Sequence, residues 1–145
     1  MESPAARLTL LTICVADLAR STAFYEVLGF RRKARGAEGV AFFDAGGVIL
    51  SLWSAREMAK DSGIALGRPA GFRDVSLAWN VASAEEVDRA MARAASAGAR
   101  TLRKPETVFW GGYTGYFADP DDHIWEIAHN PTFPLSDDGR LMLPD

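Results

Sequence analysis

The chain carries a single cysteine, Cys14, and only two histidines, His123 and His129, in 145 residues. One cysteine excludes an intrachain disulfide framework and fits a reducing compartment. The longest largely apolar run, Leu8 to Val15, is too short to span a bilayer. Residues Met1 to Arg7 lack the basic region and apolar core of a secretory signal, so a cytoplasmic location without membrane association is expected. A large excess of charge of one sign is missing as well. A net charge of −3 offers no general attraction to nucleic acid. The one local basic cluster, Arg31, Arg32, Lys33 and Arg35, reads as a solvated hairpin or, less simply, as a site for an acidic ligand. No glycine-rich phosphate loop occurs. Ser21 falls inside a predicted helix with no histidine near it in sequence, which gives no support to a hydrolase triad.

What the chain does have is an ordinary globular composition, 48% hydrophobic and 24% charged, and an internal repeat. Its length suits one compact domain that buries roughly 70% of the surface its unfolded chain exposes. Asp44–Ser51 aligns with Asp119–Glu126, each an acidic turn followed by a short strand. Upstream, Val15-Ala16-Asp17 opens a segment ending at Gly29, and Val81-Ala82-Ser83 opens one ending at Gly98. Two copies of one supersecondary unit are therefore expected.

In the first copy, Leu8–Val15 is rich in β-branched and aliphatic residues and reads as a buried strand. Asp17 is a good N-cap for a helix over 18–28, ended by Gly29. Strands near 30–34, 38–43 and 47–53 follow, the last two joined through Gly46-Gly47. The second copy starts with a strand over 75–81. Ser83-Ala84-Glu85-Glu86 is a capping box, with Glu86 reaching back to the Ser83 amide. Strands near 100–103, 106–110, 113–118 and 123–128 complete it. The resulting organisation is a single domain: module one about 7–53, a connector 54–73 with one or two helical turns at its start, module two 74–130 and a tail 131–145. The tail's prolines bar a regular helix, yet Leu135 and Leu141–Leu143 should pack against something, such as a partner subunit.

Strand side chains alternate between two faces. Leu11, Ile13 and Val15 form the greasier set of the first strand, and Val75, Leu77, Trp79 and Val81 that of the strand opening the second copy. These should face the helices. The opposite, concave face then carries Leu10, Ser51, Ser76 and Glu126 at repeat-related positions.

The pattern resembles the vicinal oxygen chelate superfamily, which includes glyoxalase I, extradiol dioxygenases and bleomycin-resistance proteins. The resemblance spans about residues 7–130. It is carried by Val15-Ala-Asp-Leu18, Ser21-Thr-Ala-Phe-Tyr25 running into Leu28-Gly-Phe30, and Phe117-Ala-Asp-Pro-Asp-Asp-His-Ile-Trp-Glu126. It implies an α+β fold in which two βαβββ modules form one curved mixed sheet around a cavity, helices on the outer face. It also implies a homodimer. In metal-using relatives, four strand positions supply His, Gln or Glu to a divalent ion. The matching positions here are Leu10, Ser51, Ser76 and Glu126, of which only Glu126 is a strong ligand. A catalytic zinc takes about three protein ligands, so no metal and no other cofactor is expected.

The cavity lining that follows is largely apolar, with Leu10, Ile49, Trp53, Ile124, Trp110 and Tyr113 or Tyr116, and with Thr12, Ser51, Ser76, Asn80 and Glu126 as polar groups. Glu126 is the sharpest candidate for general acid–base work or for pairing with a ligand; equally, it can satisfy a serine inside the sheet. Trp79 and Trp125 read as core. The leading expectation is a receptor for a small, largely apolar organic molecule in a metal-free cavity. The alternatives are a glyoxalase-type lyase or isomerase that uses Glu126, with or without a metal, and a scaffold whose cavity has collapsed.

Overall fold

The computed structural model describes residues 4–65, 67 and 73–145. The expected loop from Gly63 to Phe72 lies partly outside these residues. Module one runs β1 (Leu10–Val15), α1 (Leu18–Leu28), β2 (Arg31–Lys33), β3 (Val40–Asp44) and β4 (Ile49–Ser54), followed by α2 (Ala55–Ser62). Module two runs β5 (Ser76–Asn80), α3 (Ala84–Ser96), β6 (Arg100–Thr107), β7 (Tyr113–Ala118) and β8 (Ile124–His129). Among the described residues, no helix is long and apolar enough to cross a membrane.

The helices start and stop where local chemistry dictates. The Asp17 carboxylate accepts from the Arg20 amide at 3.0 Å, and Gly29 closes α1 at φ 111°. Ser54 caps α2 in the same way, through the Glu57 amide. At α3, Ser83 Oγ accepts from the Glu86 amide at 3.2 Å. Glu86 reaches back one residue further than expected, accepting from Ala82 N at 2.7 Å rather than from Ser83.

The two modules have the same order, β1-β4-β3-β2 and β5-β8-β7-β6, with a parallel pair on one side and antiparallel pairs elsewhere. The α+β class and the two βαβββ units stand as expected. The eight strands are divided between two four-stranded ladders, because the modules meet through their helix-side faces. Phe24 of α1 lies 6.3 Å from Phe117, Tyr25 lies 6.0 Å from Trp125, and Phe30 lies 5.9 Å from Trp79. Ile13, Val15, Leu28, Leu50 and Leu52 of one module and Val87, Met91 and Ile127 of the other join this single core. Trp79 and Trp125 are thus core residues, and burying such large side chains is the main stabilisation available to a chain this size.

One element differs from expectation. Instead of two strands near 100–103 and 106–110 there is one, β6, which ends at Thr107 and leaves 108–110 in the connection to β7; it pairs with β7 through register shifts between Thr101 and Glu106. Pro105 lacks an N–H and reads as an interruption. As β6 is the outer strand of its ladder, proline is tolerated there at the irregularity.

Candidate functional site

Parity fixes which side chains leave the core. With Trp125 and Ile127 of β8 turned toward α1 and α3, Ile124, Glu126 and Ala128 occupy the opposite face. Ala78 and Tyr116 flank Glu126 in the parallel and antiparallel ladders. The Tyr116 hydroxyl donates to Glu126 Oε2 at 2.6 Å. That bond, with partial burial, holds the Tyr116 hydroxyl above the ordinary tyrosine pKa, against the opposing pull of Arg103. The Arg103 guanidinium lies over the Tyr116 ring, 5.1 Å from its centroid. Its Nη hydrogens go to Glu106 Oε1 at 2.7 Å, to Thr114 O at 2.9 Å and to Thr114 Oγ1, while its buried Nε has no partner among the described residues.

Above Glu126 is a pocket of about 340 Å³ lined by Asn80, Trp110, Ala128, Asn130, Phe133 and Leu141. Trp110 follows β6 and folds back across Gly112, where an added Cβ would collide with the indole. Gly112 is therefore the residue that allows Trp110 its position. Phe133 and Leu141 come from the tail, which is held in place by the Leu135–Leu141 bridge and by Met142 N donating to Pro134 O at 2.9 Å. Leu141 borders this pocket but is 40% exposed, and Met142 and Leu143, expected to pack as well, are 53% and 66% exposed.

The candidate residues are not all gathered here. Asn80, Trp110 and Tyr116 surround Glu126. Ser76 is on the same face but exposed, beside Ile124. Leu10, Thr12, Ser51 and Trp53 belong to the other ladder, where Leu10 pairs with Ile49 and Thr12 with Ser51. None of the four lines the Glu126 pocket. Ser51 is 3% exposed and Leu10 42% exposed. Tyr113 departs from the face assigned to it by sequence. It pairs with His129 and sends its hydroxyl to Asp88 of α3 at 2.7 Å, on the helix side. Two residues separate Tyr113 from Tyr116, no glycine-rich loop bends between them, and strand alternation puts them on opposite faces.

Several residues in or beside the pocket were not marked by sequence. Phe133 and Asn130 sit in a proline-punctuated tail with no periodicity, and Arg103 sits in a strand whose pattern is interrupted at Pro105. The signal for Arg103 was its place opposite Tyr116, which only the β6–β7 register reveals.

The donor set does not fit the divalent metal that the resemblance brings to mind. Leu10 has no lone pair, and Ser51 and Ser76 offer neutral hydroxyls. Both histidines turn to backbone carbonyls, His123 Nε2 to Cys14 O at 2.7 Å and His129 Nδ1 to Val81 O at 3.3 Å. Among the described residues, no three His, Cys, Asp or Glu side chains are grouped so as to hold an ion. A second copy placing its Leu10 and Ser51 over this Glu126 would add no stronger ligand.

A larger cleft of about 1380 Å³ opens between the modules, bordered by Asp44–Leu50, Leu77–Ala82, α3 and the tail. Several of its polar groups are engaged locally. Glu86 caps α3, Arg93 Nε donates to Val27 O at 2.6 Å, and Asp138 pairs with Arg140. The smaller pocket is the better functional candidate because it lies on the sheet face opposite the helices, where Glu126, bonded by Tyr116, meets Trp110 and Phe133.

The family model of the Glyoxalase/Bleomycin resistance protein/Dioxygenase superfamily matches residues 7–127. Among solved structures, a glyoxalase-related enzyme from Fulvimarina pelagi is 34% identical. That match covers 97% of this chain and 100% of that one, with a TM-score of 0.87. A glyoxalase/bleomycin resistance protein/dioxygenase from Nocardioides is 30% identical over 88% of this chain and 85% of that one, TM-score 0.73. A lactoylglutathione lyase from Agrobacterium tumefaciens shares the fold at 20% identity, covering 88% and 96% of the two chains with a TM-score of 0.66. The search of curated proteins finds no match.

Proposed function

The chain belongs to the glyoxalase/bleomycin resistance protein/dioxygenase superfamily, and from that membership and the Glu126 pocket we propose that it binds a small, largely apolar organic molecule without a metal ion. The observation that carries this reading is one carboxylate, held by Tyr116, at the base of a pocket walled by Trp110, Phe133, Ala128 and Leu141. Such a mixture of apolar wall and few polar groups is typical of ligand sites. The reading extends to a homodimer in which a second copy lays the face that carries its Leu10 and Trp53 over the pocket. The outward orientation of both open faces supports that extension, and sedimentation analysis tests it.

A screen of small ring compounds by thermal unfolding tests the reading. A ligand selective for the folded state raises the melting temperature by mass action. The rise should shrink in Trp110→Ala and in Gly112→Ala, the second because Trp110 loses its resting place. No rise with any compound would sink the reading and favour a collapsed cavity. One observation favours a second reading, a lyase or isomerase. The Tyr116–Glu126 pair is a short hydroxyl–carboxylate contact able to relay a proton. The Agrobacterium neighbour is named as a lyase. Glu126→Gln separates the two, since lost turnover with retained binding marks chemistry and weakened binding alone marks a receptor.

A further inference from the structure

We propose that the Glu126 pocket selects organic cations, a protonated amine on an aromatic or apolar body, with Glu126 as counter-charge. The inference rests on the binding reading above and adds the charge of the ligand. Among the described residues lining the pocket there is no Lys, Arg or His. Glu126 is the single charged group, and the one side chain seen to hydrogen-bond it is the neutral Tyr116 hydroxyl at Oε2. Oε1 is left for a ligand. The guanidinium of Arg103 is close enough to polarise Tyr116, yet its hydrogen bonds go to Glu106 and Thr114, and it contacts the tyrosine ring face. It does not form an ion pair with Glu126.

A carboxylate partly withdrawn from water and held by one neutral donor favours a cationic partner over a neutral one. The walls act in the same direction. Trp110 and Phe133 border the pocket from two segments, the β6–β7 connection and the tail, and aromatic faces attract ammonium groups. Asn80 adds an amide oxygen that can accept a second N–H. An anionic ligand would meet Glu126 without a neutralising partner. A neutral alcohol could satisfy Oε1 but would gain nothing from its charge.

The test compares three ring compounds of similar size, 2-phenylethylammonium, 2-phenylethanol and phenylacetate, titrated into the full chain by calorimetry or by the Trp110 indole resonance. The ammonium compound should bind about tenfold more tightly than the alcohol, and phenylacetate most weakly. In Glu126→Gln the ammonium advantage should fall to within about twofold while the alcohol's affinity holds; in Glu126→Asp the preference should persist. Because the Gln variant can lose its fold, the wild-type protein carries a second measurement. Raising NaCl should erode the ammonium advantage and leave the alcohol unmoved. Equal affinity of alcohol and ammonium, or an advantage that survives Glu126→Gln, overturns the charge selectivity while the pocket stands. Failure of all three compounds to bind overturns the pocket reading itself.

Discussion

The turns Asp119–Asp122 and Asp44–Gly47 hold equivalent places in the two modules, yet one is fastened to the opposite module and the other borders a cleft. Asp119 Oδ2 accepts from the Tyr25 hydroxyl at 2.5 Å, and Trp125 Nε1 donates to that same hydroxyl at 3.0 Å. Asp121 accepts from Ala16 N and from Ser21 Oγ, each at 2.8 Å, at the start of α1. Among the described residues, the Asp44 carboxylate, by contrast, accepts only from Gly46 N within its own turn. Helix residues follow the same division. Where α1 presents Phe24 and Leu28, α3 presents Ala90 and Ala94 at the repeat-related positions. Duplication supplied matching backbones; side chains then closed one seam and left the other as a cleft of about 1380 Å³.

The largest effect should come from the closed seam. Asp119→Ala removes the acceptor for Tyr25 and for the amides of Asp121 and His123, all withdrawn from solvent to some degree. Orphaning such donors costs about 3 kcal/mol in total. Asp44→Ala deletes one exposed turn bond and should cost under about 1 kcal/mol. Denaturant titrations of both variants measure the difference, and equal losses would break the comparison.

A smaller effect separates the seams by pH. Burial, and then the Asp119 carboxylate beside it, raise the Tyr25 pKa well above its ordinary value. The unfolded chain therefore releases this proton first, near pH 10. Above that pH the native state binds more protons than the unfolded state, so stability falls as pH rises. The stability contribution is complete below pH 10 and is lost upward from there. Tyr25→Phe should flatten that alkaline slope. A slope unchanged by the substitution would mean that the hydroxyl does not hold the seam.

Much of this was legible in sequence. Helix caps are local chemistry, so Asp17, Ser83 and Gly29 announced α1 and α3 directly. Alternation placed Trp79, Trp125 and Ile13 in the core and Glu126 opposite them. What sequence did not convey depended on distant registers. Tyr25 meeting Asp119, and modules joining through their helix sides rather than along strand edges, are outcomes of packing between segments far apart in the chain. The same applies to the pocket. Glu126 stood out because its repeat partner is Ser51, whereas Phe133 and Arg103 join it through a tail path and a strand irregularity that no periodicity encodes. Tyr113 shows the opposite case: the alternation rule, applied strictly, would have set it on the helix face.

The finest distinction between the turns lies in the backbone. Gly46 and Gly47 have φ of 78° and 109°, whereas the acidic turn reaches positive φ only at Asp122, at 64°. Gly47→Ala should cost about 1–2 kcal/mol, because a Cβ is strained in that region even though the nearest atom, Arg140 Cδ, would lie at a comfortable 3.7 Å. Asp122→Gly runs the exchange in reverse. Glycine relieves the left-handed strain, but the change also gives the unfolded chain more freedom and removes the exposed ion pair with Arg100 at 3.1 Å. These contributions oppose one another, and the net change should stay within about 0.5 kcal/mol. Matched melting curves for the two variants decide whether glycine is required by the open turn and merely tolerated by the closed one; a large loss in Asp122→Gly would mean that the acidic turn depends on its outer carboxylate as well as on its two inner ones.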